Sequence, residues 1–105
     1  MELKEIINKE SPGVKKLEEL GWKPEFYSNP NTVFFTNGTK PRLVIMRDYD
    51  EKEKKYLFAT GYESHGKGFF KIILYDKTYS LQESLDFWLP TIAYNLLNSK
   101  SPNLH

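Results

Sequence analysis

The spacing of apolar residues divides the chain into helical ends and an extended middle. Near the N-terminus, apolar residues recur every three or four positions over residues 3–7 and again over residues 14–20, which indicates amphipathic helices. Ser11 is a good N-cap and Pro12 a favoured first helical residue, so the second helix is predicted to begin there. Gly21 is predicted to end it in a left-handed conformation. This region should form a helix or a helix pair.

The middle of the chain carries five extended stretches that are rich in β-branched and aromatic residues. They are residues 25–27, 32–36, 42–47, 56–62 and 69–75. The segments 29–31 and 37–38 have turn-forming sequences, and the charged segment 50–55 suits a hairpin tip. The glycine-containing residues 63–68 are predicted to be a loop. Because every connection is too short for a crossover helix, we predict an antiparallel meander of five strands.

Helical spacing returns near the C-terminus. The apolar residues in this pattern are Leu81, Leu85, Trp88, Leu89, Ile92 and Leu96. Ser80 and Glu83 have the spacing of a capping box at the start of the helix. Pro90 lies inside the apolar stripe, and proline lacks a backbone N–H and crowds the turn before it. The helix is therefore predicted to be kinked or broken near Pro90.

These elements together predict an α+β fold with the helices packed on one face of the sheet. Residues 1–98 should form a single domain, and residues 99–105 a frayed C-terminal tail. At 105 residues, the chain is long enough to bury a core without disulfides.

Alternation along the strands predicts which face of the sheet the helices cover. On the fourth strand, Leu57, Ala59 and Gly61 share one face, and because small residues permit close approach, we place the helices over it. Aromatic side chains are then left on the other face, and with nearby basic residues they form the candidate interaction surface. This surface consists of Tyr56, Phe58, Tyr62, Phe69, Tyr75, Arg42, Arg47 and Lys71.

Three kinds of cover would account for so many aromatic side chains on that face. The sheet could curl over them, a partner protein or a second copy could cover them, or single-stranded nucleic acid could stack on them. The net charge of +1 gives no general basic excess of the kind that non-specific nucleic-acid binders carry. Curling of the sheet is the simplest structural explanation of these side chains. Among binding functions, a protein partner or self-association is the leading expectation, and nucleic acid is the alternative.

Composition and spacing argue against several kinds of chemistry. The chain has no cysteine, so disulfides, thiolate nucleophiles and zinc–sulfur sites are excluded. His65 is the one histidine outside the tail and does not make a transition-metal site by itself. The acidic residues near 48–53 lack the EF-hand pattern and alternate with lysines, which favours a solvated hairpin tip over a cation site. We predict no catalytic residue, cofactor or metal ligand.

The segment 65–68, His-Gly-Lys-Gly, leaves two interpretations open. Its backbone N–H groups could hold an anion, with Lys67 beside it. It lacks the Walker spacing, however, and a strand rather than a helix follows. Turn formation is the simpler interpretation.

The functional expectation is a small non-enzymatic intracellular binding protein, a regulator or inhibitor that docks on a protein partner or on itself. Neither a signal-like apolar run at the N-terminus nor an apolar stretch of membrane-spanning length is present, which predicts a cytoplasmic protein without membrane association. The small size and lysine-rich composition would also suit a phage or mobile-element accessory protein. A small enzyme that uses Glu63, His65 or the Asp48 and Asp50 pair is the least favoured alternative.

Overall fold

Helices flank a central run of five strands in the order that the sequence predicts. The computed structural model describes residues 2–7, 10–38, 41–66 and 68–98. The N-terminal helices are α1 (Leu3–Ile6) and α2 (Pro12–Glu19). The strands are β1 (Lys23–Phe26), β2 (Thr32–Thr36), β3 (Leu43–Asp50), β4 (Lys55–Gly66) and β5 (Phe69–Thr78). The C-terminal helix consists of α3 (Leu81–Glu83), a π turn (Ser84–Trp88) and α4 (Leu89–Asn98).

The five strands form an antiparallel meander in which each strand pairs with its neighbours along the chain. The longest uninterrupted ladder joins β3 and β4, from Leu43 opposite Tyr62 to Asp50 opposite Lys55. The ladder between β4 and β5 shifts by one residue at Thr60 and Gly61. The predicted α+β fold and meander are confirmed. The predicted frayed tail, residues 99–105, lies outside the described residues.

β4 extends further than the sequence indicates. Its last residues pair with β5 through Gly66 opposite Phe69, so the loop prediction was wrong for residues 63–66. Hydrogen bonds along the ladder outweigh the low strand propensity of glycine and serine here. Gly68 has a φ of +73°, as a tight turn requires. Lys67, the side chain of the candidate anion loop, lies outside the described residues.

The helix boundaries follow the predicted capping residues. The Ser11 hydroxyl accepts a hydrogen bond from the Val14 N–H at 3.3 Å, and Gly21 has a φ of +91° beyond the end of α2. The Ser80 hydroxyl accepts from the Glu83 N–H at 3.1 Å. The capping box is only half formed, because the Glu83 carboxylate accepts instead from the Trp88 indole N–H at 3.2 Å.

The predicted interruption near Pro90 takes the form of a π turn. Within Ser84–Trp88 the backbone bonds skip one extra residue, and the Leu89 N–H donates to the Ser84 carbonyl five positions earlier. Pro90 has no N–H to donate, so the turn before it has lost one partner of the regular α-helical pattern. The helix continues past Pro90 as α4, and the interruption changes its hydrogen bonding without ending it.

The core lies between the helices and one face of the sheet. The sheet contributes Val33, Phe35, Leu43, Ile45, Phe58 and Tyr62. The helices contribute Leu3, Val14, Leu17, Leu85, Leu89, Ile92 and Ala93, and Trp22 completes the cluster. The helices therefore cover the row of Phe58 and Tyr62. The prediction that they cover the row of Leu57, Ala59 and Gly61 was wrong.

The small residue at position 61 serves a different contact from the one that the sequence suggested. A Cβ atom added to Gly61 would lie 1.9 Å from the carbonyl oxygen of Ile73 in the neighbouring strand. This close approach of two backbones occurs where the β4–β5 ladder shifts, which is a common position for glycine. The glycine therefore marks an irregularity within the sheet and carries no information about which face the helices cover.

Gly13 provides the close approach between helices. A Cβ atom at this position would lie 1.9 Å from the carbonyl oxygen of Leu85, where α2 meets the C-terminal helix. Both helices are amphipathic, and the absence of a side chain at the crossing brings their buried faces into one core.

A carboxylate joins the start of α2 to the C-terminal helix. Asp86, in the π turn, accepts hydrogen bonds from the Ser11 hydroxyl and from the Gly13 N–H, the latter at 3.1 Å. The Ser11 bond above all, assisted by the Gly13 N–H and the Gln82 side chain, holds the pKa of Asp86 below its usual value, although burial opposes the shift. The ionised carboxylate also lies where the helix dipole of α2 favours negative charge.

We expect Asp86→Asn to lower the free energy of unfolding by about 1 kcal/mol at neutral pH, because it removes a charged acceptor at a helix start. Since folding lowers the pKa of Asp86, its stabilising contribution is present above the unfolded pKa of about 4 and is lost as the pH falls through the folded value. Urea unfolding at about pH 7 and about pH 3 measures the difference. The difference in unfolding free energy between the wild type and Asp86→Asn should shrink in acid. An equal difference at both pH values would contradict a stabilising role for the ionised carboxylate. Glu51→Gln, in an exposed turn, is the control and should change little.

Candidate functional site

The face of the sheet opposite the core is the main candidate for a binding surface. Alternation and register place on it residues from four strands: Phe34 of β2, Val44 and Met46 of β3, Leu57, Ala59 and Gly61 of β4, and Ile72 and Leu74 of β5. No helix in the described ranges packs on this side, because the buried residues of the helices belong to the core on the other side. We call it the uncovered face.

One end of the uncovered face forms an apolar concavity of about 310 Å³. Its floor is made by Met46, Leu57, Ala59 and Leu74, and Asp48 and Lys77 lie at its rim. Arg47 also lines it, but its guanidinium lies over Tyr56 on the opposite face. Leu74 is 42% exposed, a high value for a large apolar side chain next to other apolar residues. The concavity thus combines an apolar floor with charges of both signs at its edge.

The other end of the uncovered face carries a network centred on Arg42. The Arg42 Nε donates to Glu63 Oε2 at 2.8 Å, and a terminal nitrogen of Arg42 donates to the same oxygen. The other terminal nitrogen donates to Glu25 Oε1 at 2.9 Å and to the Tyr27 hydroxyl at 2.5 Å. The guanidinium lies 4.3 Å from the ring centroid of Phe34. Arg42 thereby joins the end of β1, the start of β3 and the end of β4.

Glu63 is the buried member of this network, with only 1% of its side chain exposed. Its second oxygen is in hydrogen-bond contact with His65 Nε2. Desolvation lowers the pKa of Arg42, but hydrogen bonds to Glu63, Glu25 and Tyr27 outweigh it and raise the pKa above its usual value. Both carboxylate oxygens of Glu63 are therefore occupied by internal partners, as a buried charge requires.

The acidic residues at the hairpin tip have internal partners as well. Asp50 accepts a hydrogen bond from the Tyr79 hydroxyl at 2.6 Å and from the backbone N–H groups of Lys52 and Glu53. The Tyr79 bond is the main cause of a lowered pKa at Asp50. The Asp48 position lies opposite Leu57, about 20 Å along β4 from Glu63. The structure thus brings Glu63 and His65 together but leaves Asp48 and Asp50 far from both.

Two members of the predicted interaction surface lie in the core. Phe58 is 6% exposed and Tyr62 is 5% exposed, and both pack under the helices. None of the three kinds of cover predicted from the sequence applies to these two rings, because the protein's own helices cover them. Neither ring has the exposed face that base stacking needs.

The remaining members of that surface are spread over several parts of the molecule. Tyr56 and Tyr75 are exposed, and the Arg47 guanidinium lies 4.5 Å from the ring centroid of Tyr56. Lys71 is exposed on β5, and the side chain of Phe69 lies outside the described residues. The guanidinium groups of Arg42 and Arg47 lie on opposite faces of the sheet, as strand alternation predicts. Whether any of these residues contacts a partner stays a prediction.

The sequence interpretation missed the partners of Arg42, namely Glu25, Tyr27 and Glu63. For Glu63 a usable signal was present, because alternation continued past Tyr62 places it on the same face as Gly61. The β3–β4 register, extended by one residue beyond Leu43 and Tyr62, sets Glu63 opposite Arg42. The glycines that follow it favoured a loop and hid that continuation.

No three histidine or acidic side chains in the described part of the chain come together as a metal site would require. Among the described helices, none combines the length and the apolar character needed to cross a bilayer. Comparison of the chain with protein-family models, with curated proteins and with solved structures found no match. The case for a function therefore comes from the geometry of the uncovered face.

Proposed function

We propose that the chain is a non-enzymatic binding protein that docks a protein partner on its uncovered face. The observation that carries the proposal is the apolar concavity, whose floor includes the exposed Leu74. Interfaces between proteins typically centre on a desolvated apolar pocket that is surrounded by polar residues. The concavity and its charged rim have this arrangement.

The distribution of charge favours protein over nucleic acid as the partner. The rim of the concavity has basic Lys77 and acidic Asp48, while the Arg47 guanidinium lies over Tyr56 on the other face. The hairpin from residue 47 to residue 55 contains four basic and four acidic residues, so its net charge is zero. A polyanion would meet repulsion as often as attraction there, whereas a protein surface with mixed charges could match it.

The state of the carboxylates supports binding rather than catalysis. A general acid or base needs an oxygen or nitrogen that reaches the substrate. Glu63 is buried with both oxygens engaged, and Asp50 accepts three hydrogen bonds from its own hairpin and from Tyr79. These groups stabilise the sheet and its hairpin, whereas no described residue covers the apolar floor of the concavity.

The test compares the wild-type protein with Leu74→Arg in an affinity capture from the lysate of the cells that make it. We expect a specific protein to be retained by the wild type and lost with Leu74→Arg, since a charge in the centre of the concavity should weaken binding about 100-fold. The matched control is Leu20→Arg. Leu20, at the end of α2 on the helical side, is 38% exposed, close to the 42% of Leu74.

A partner that Leu74→Arg and Leu20→Arg retain equally would contradict docking on the uncovered face. The nucleic-acid alternative has its own measurement, the binding of a labelled single-stranded oligonucleotide at low salt. Binding that weakens steeply with added salt would favour that alternative. Circular dichroism of each variant establishes that it is folded before its binding is compared.

A further inference from the structure

The outward side of the C-terminal helix carries a second apolar surface, on the opposite side of the molecule from the concavity. Phe87 is 56% exposed, Tyr94 65% and Leu97 51%. Pro90, which lies between Phe87 and Tyr94, is half-buried. We call these four residues the outer stripe. They include the three most exposed large apolar side chains among the described residues.

The spacing of the outer stripe is that of a helix–helix contact. Positions 87, 90, 94 and 97 are separated by three, four and three residues, which is the a–d–a–d pattern of a two-helix seam. The opposite side of the same helix, with Leu89, Ile92 and Ala93, is already buried in the core. The helix is therefore apolar on both sides, a pattern typical of helices that are buried from two directions.

The helix also lacks the charges that usually keep a surface helix in solvent. α4, Leu89–Asn98, has no acidic or basic residue, and the one charge of the preceding π turn, Asp86, is bonded to Ser11 and Gly13. A neutral surface meets a copy of itself without like-charge repulsion. A partner selected by charge would find no counterpart on it.

We propose that the outer stripe is the contact surface of a homodimer, in which the C-terminal helices of two copies pack antiparallel about a two-fold axis. Two-fold pairing brings the same patch together from both copies, so each residue faces its counterpart across the axis. Centred on position 92, the pairing sets Phe87 against Leu97 of the second copy and Pro90 against Tyr94 of the second copy. Every residue of the stripe then has an apolar partner, and each layer combines one larger and one smaller side chain.

The dimer is independent of the proposed function, because it uses the helical side and leaves both concavities open. Its interface is one helix per copy, smaller than the standard specific interface of about 1,600 Å² in total. It should therefore be a concentration-dependent dimer with a micromolar dissociation constant, in the range of about 1 µM to about 100 µM. Because the seam has no charge, the dissociation constant should not increase with salt.

Sedimentation velocity of the full chain over a range of concentrations measures the dimer directly. We expect Tyr94→Glu to raise the dissociation constant by about 100-fold, because it places two charges in the centre of the seam. Leu74→Glu, which puts the same charge at an exposed apolar position on the uncovered face, should leave the dissociation constant unchanged. Comparing Tyr94→Glu with Leu74→Glu also separates the dimer from the binding of a partner on the uncovered face, which Leu74→Glu should weaken.

A charge pair tests the antiparallel orientation. Phe87→Lys and Leu97→Glu should each weaken the dimer, and the double variant should recover most of the loss, since position 87 of one copy faces position 97 of the other. A parallel pair would set like charges against each other in the double variant and would show no recovery. A wild type that stays monomeric to about 1 mM, a dimer that tolerates Tyr94→Glu, or a double variant without recovery would overturn the proposal.

Discussion

Arg42→Met should lower the free energy of unfolding by about 3 kcal/mol, because it leaves the carboxylate of Glu63 buried without its main partner. Glu63 is nearly inaccessible to water and receives two hydrogen bonds from Arg42. Methionine keeps much of the aliphatic length of Arg42, so the loss reports the guanidinium, with its bonds to Glu63 and its contact with the Phe34 ring. Urea unfolding at neutral pH, with the slope of the transition compared between proteins, measures it.

Arg47→Met is the matched control for this prediction. Arg47 is the other arginine of the chain, and its guanidinium donates to the exposed Asn31 side chain and lies over Tyr56 at the surface. Its loss should cost less than about 1 kcal/mol. The double variant Arg42→Met with Glu63→Leu should be more stable than Arg42→Met alone, since an apolar pair replaces the unpaired charge. Equal effects of the two arginine substitutions would contradict a buried ion pair at Glu63.

Gly13→Ala should be destabilising by about 3 kcal/mol, although alanine is the better helix former by about 1 kcal/mol. The added methyl would overlap the Leu85 carbonyl oxygen, which belongs to the backbone of the facing helix and cannot move like a side chain. The two helices would have to separate, and the core between α2 and the C-terminal helix would loosen. Thermal and urea unfolding measure the loss.

Gly21→Ala, at the other end of α2, separates steric overlap from backbone conformation. Gly21 has a φ of +91°, but a methyl group there would meet no atom within 4 Å. Its cost should be limited to the left-handed conformation, about 1 kcal/mol. A loss at Gly13 no larger than the loss at Gly21 would show that the helices adjust to the methyl without opening the core.

Local signals predicted the elements because each depends on neighbours in sequence. Ser11, Gly21 and Ser80 take the capping roles that their chemistry favours, and the short connections leave the meander as the simple topology. The interruption before Pro90 was likewise readable, because the missing N–H is a property of the residue itself.

The assignment of sheet faces depended on contacts that are distant in sequence. Both rows of β4 contain apolar residues, so alternation separates Leu57, Ala59 and Gly61 from Phe58 and Tyr62 without indicating which row the helices cover. The small size of Gly61 was interpreted as room for a helix, whereas the β5 backbone occupies that room. Burial of the larger aromatic rings has the greater hydrophobic free energy, and this favours the arrangement that the structure shows.

The candidate surfaces were the least predictable part of the chain. The concavity forms only when β3, β4 and β5 lie side by side, and its members are ordinary strand residues in the sequence. The outer stripe was within reach, because the seam spacing of Phe87, Tyr94 and Leu97 and the lack of charge in α4 are visible without coordinates. The buried residues of the same helix form a longer apolar pattern that overlaps it in the sequence.

The π turn before Pro90 sets the rotational phase of everything that follows it. A turn with one extra residue acts like a single-residue insertion in a helix, and it rotates the next segment by roughly 100° relative to an uninterrupted α-helix. Leu85 inside the turn and Leu89 directly after it both lie in the core, so the extra residue is accommodated within the turn and α4 keeps its apolar side towards the sheet. The five residues of the π turn therefore determine the direction in which Tyr94 and Leu97 point.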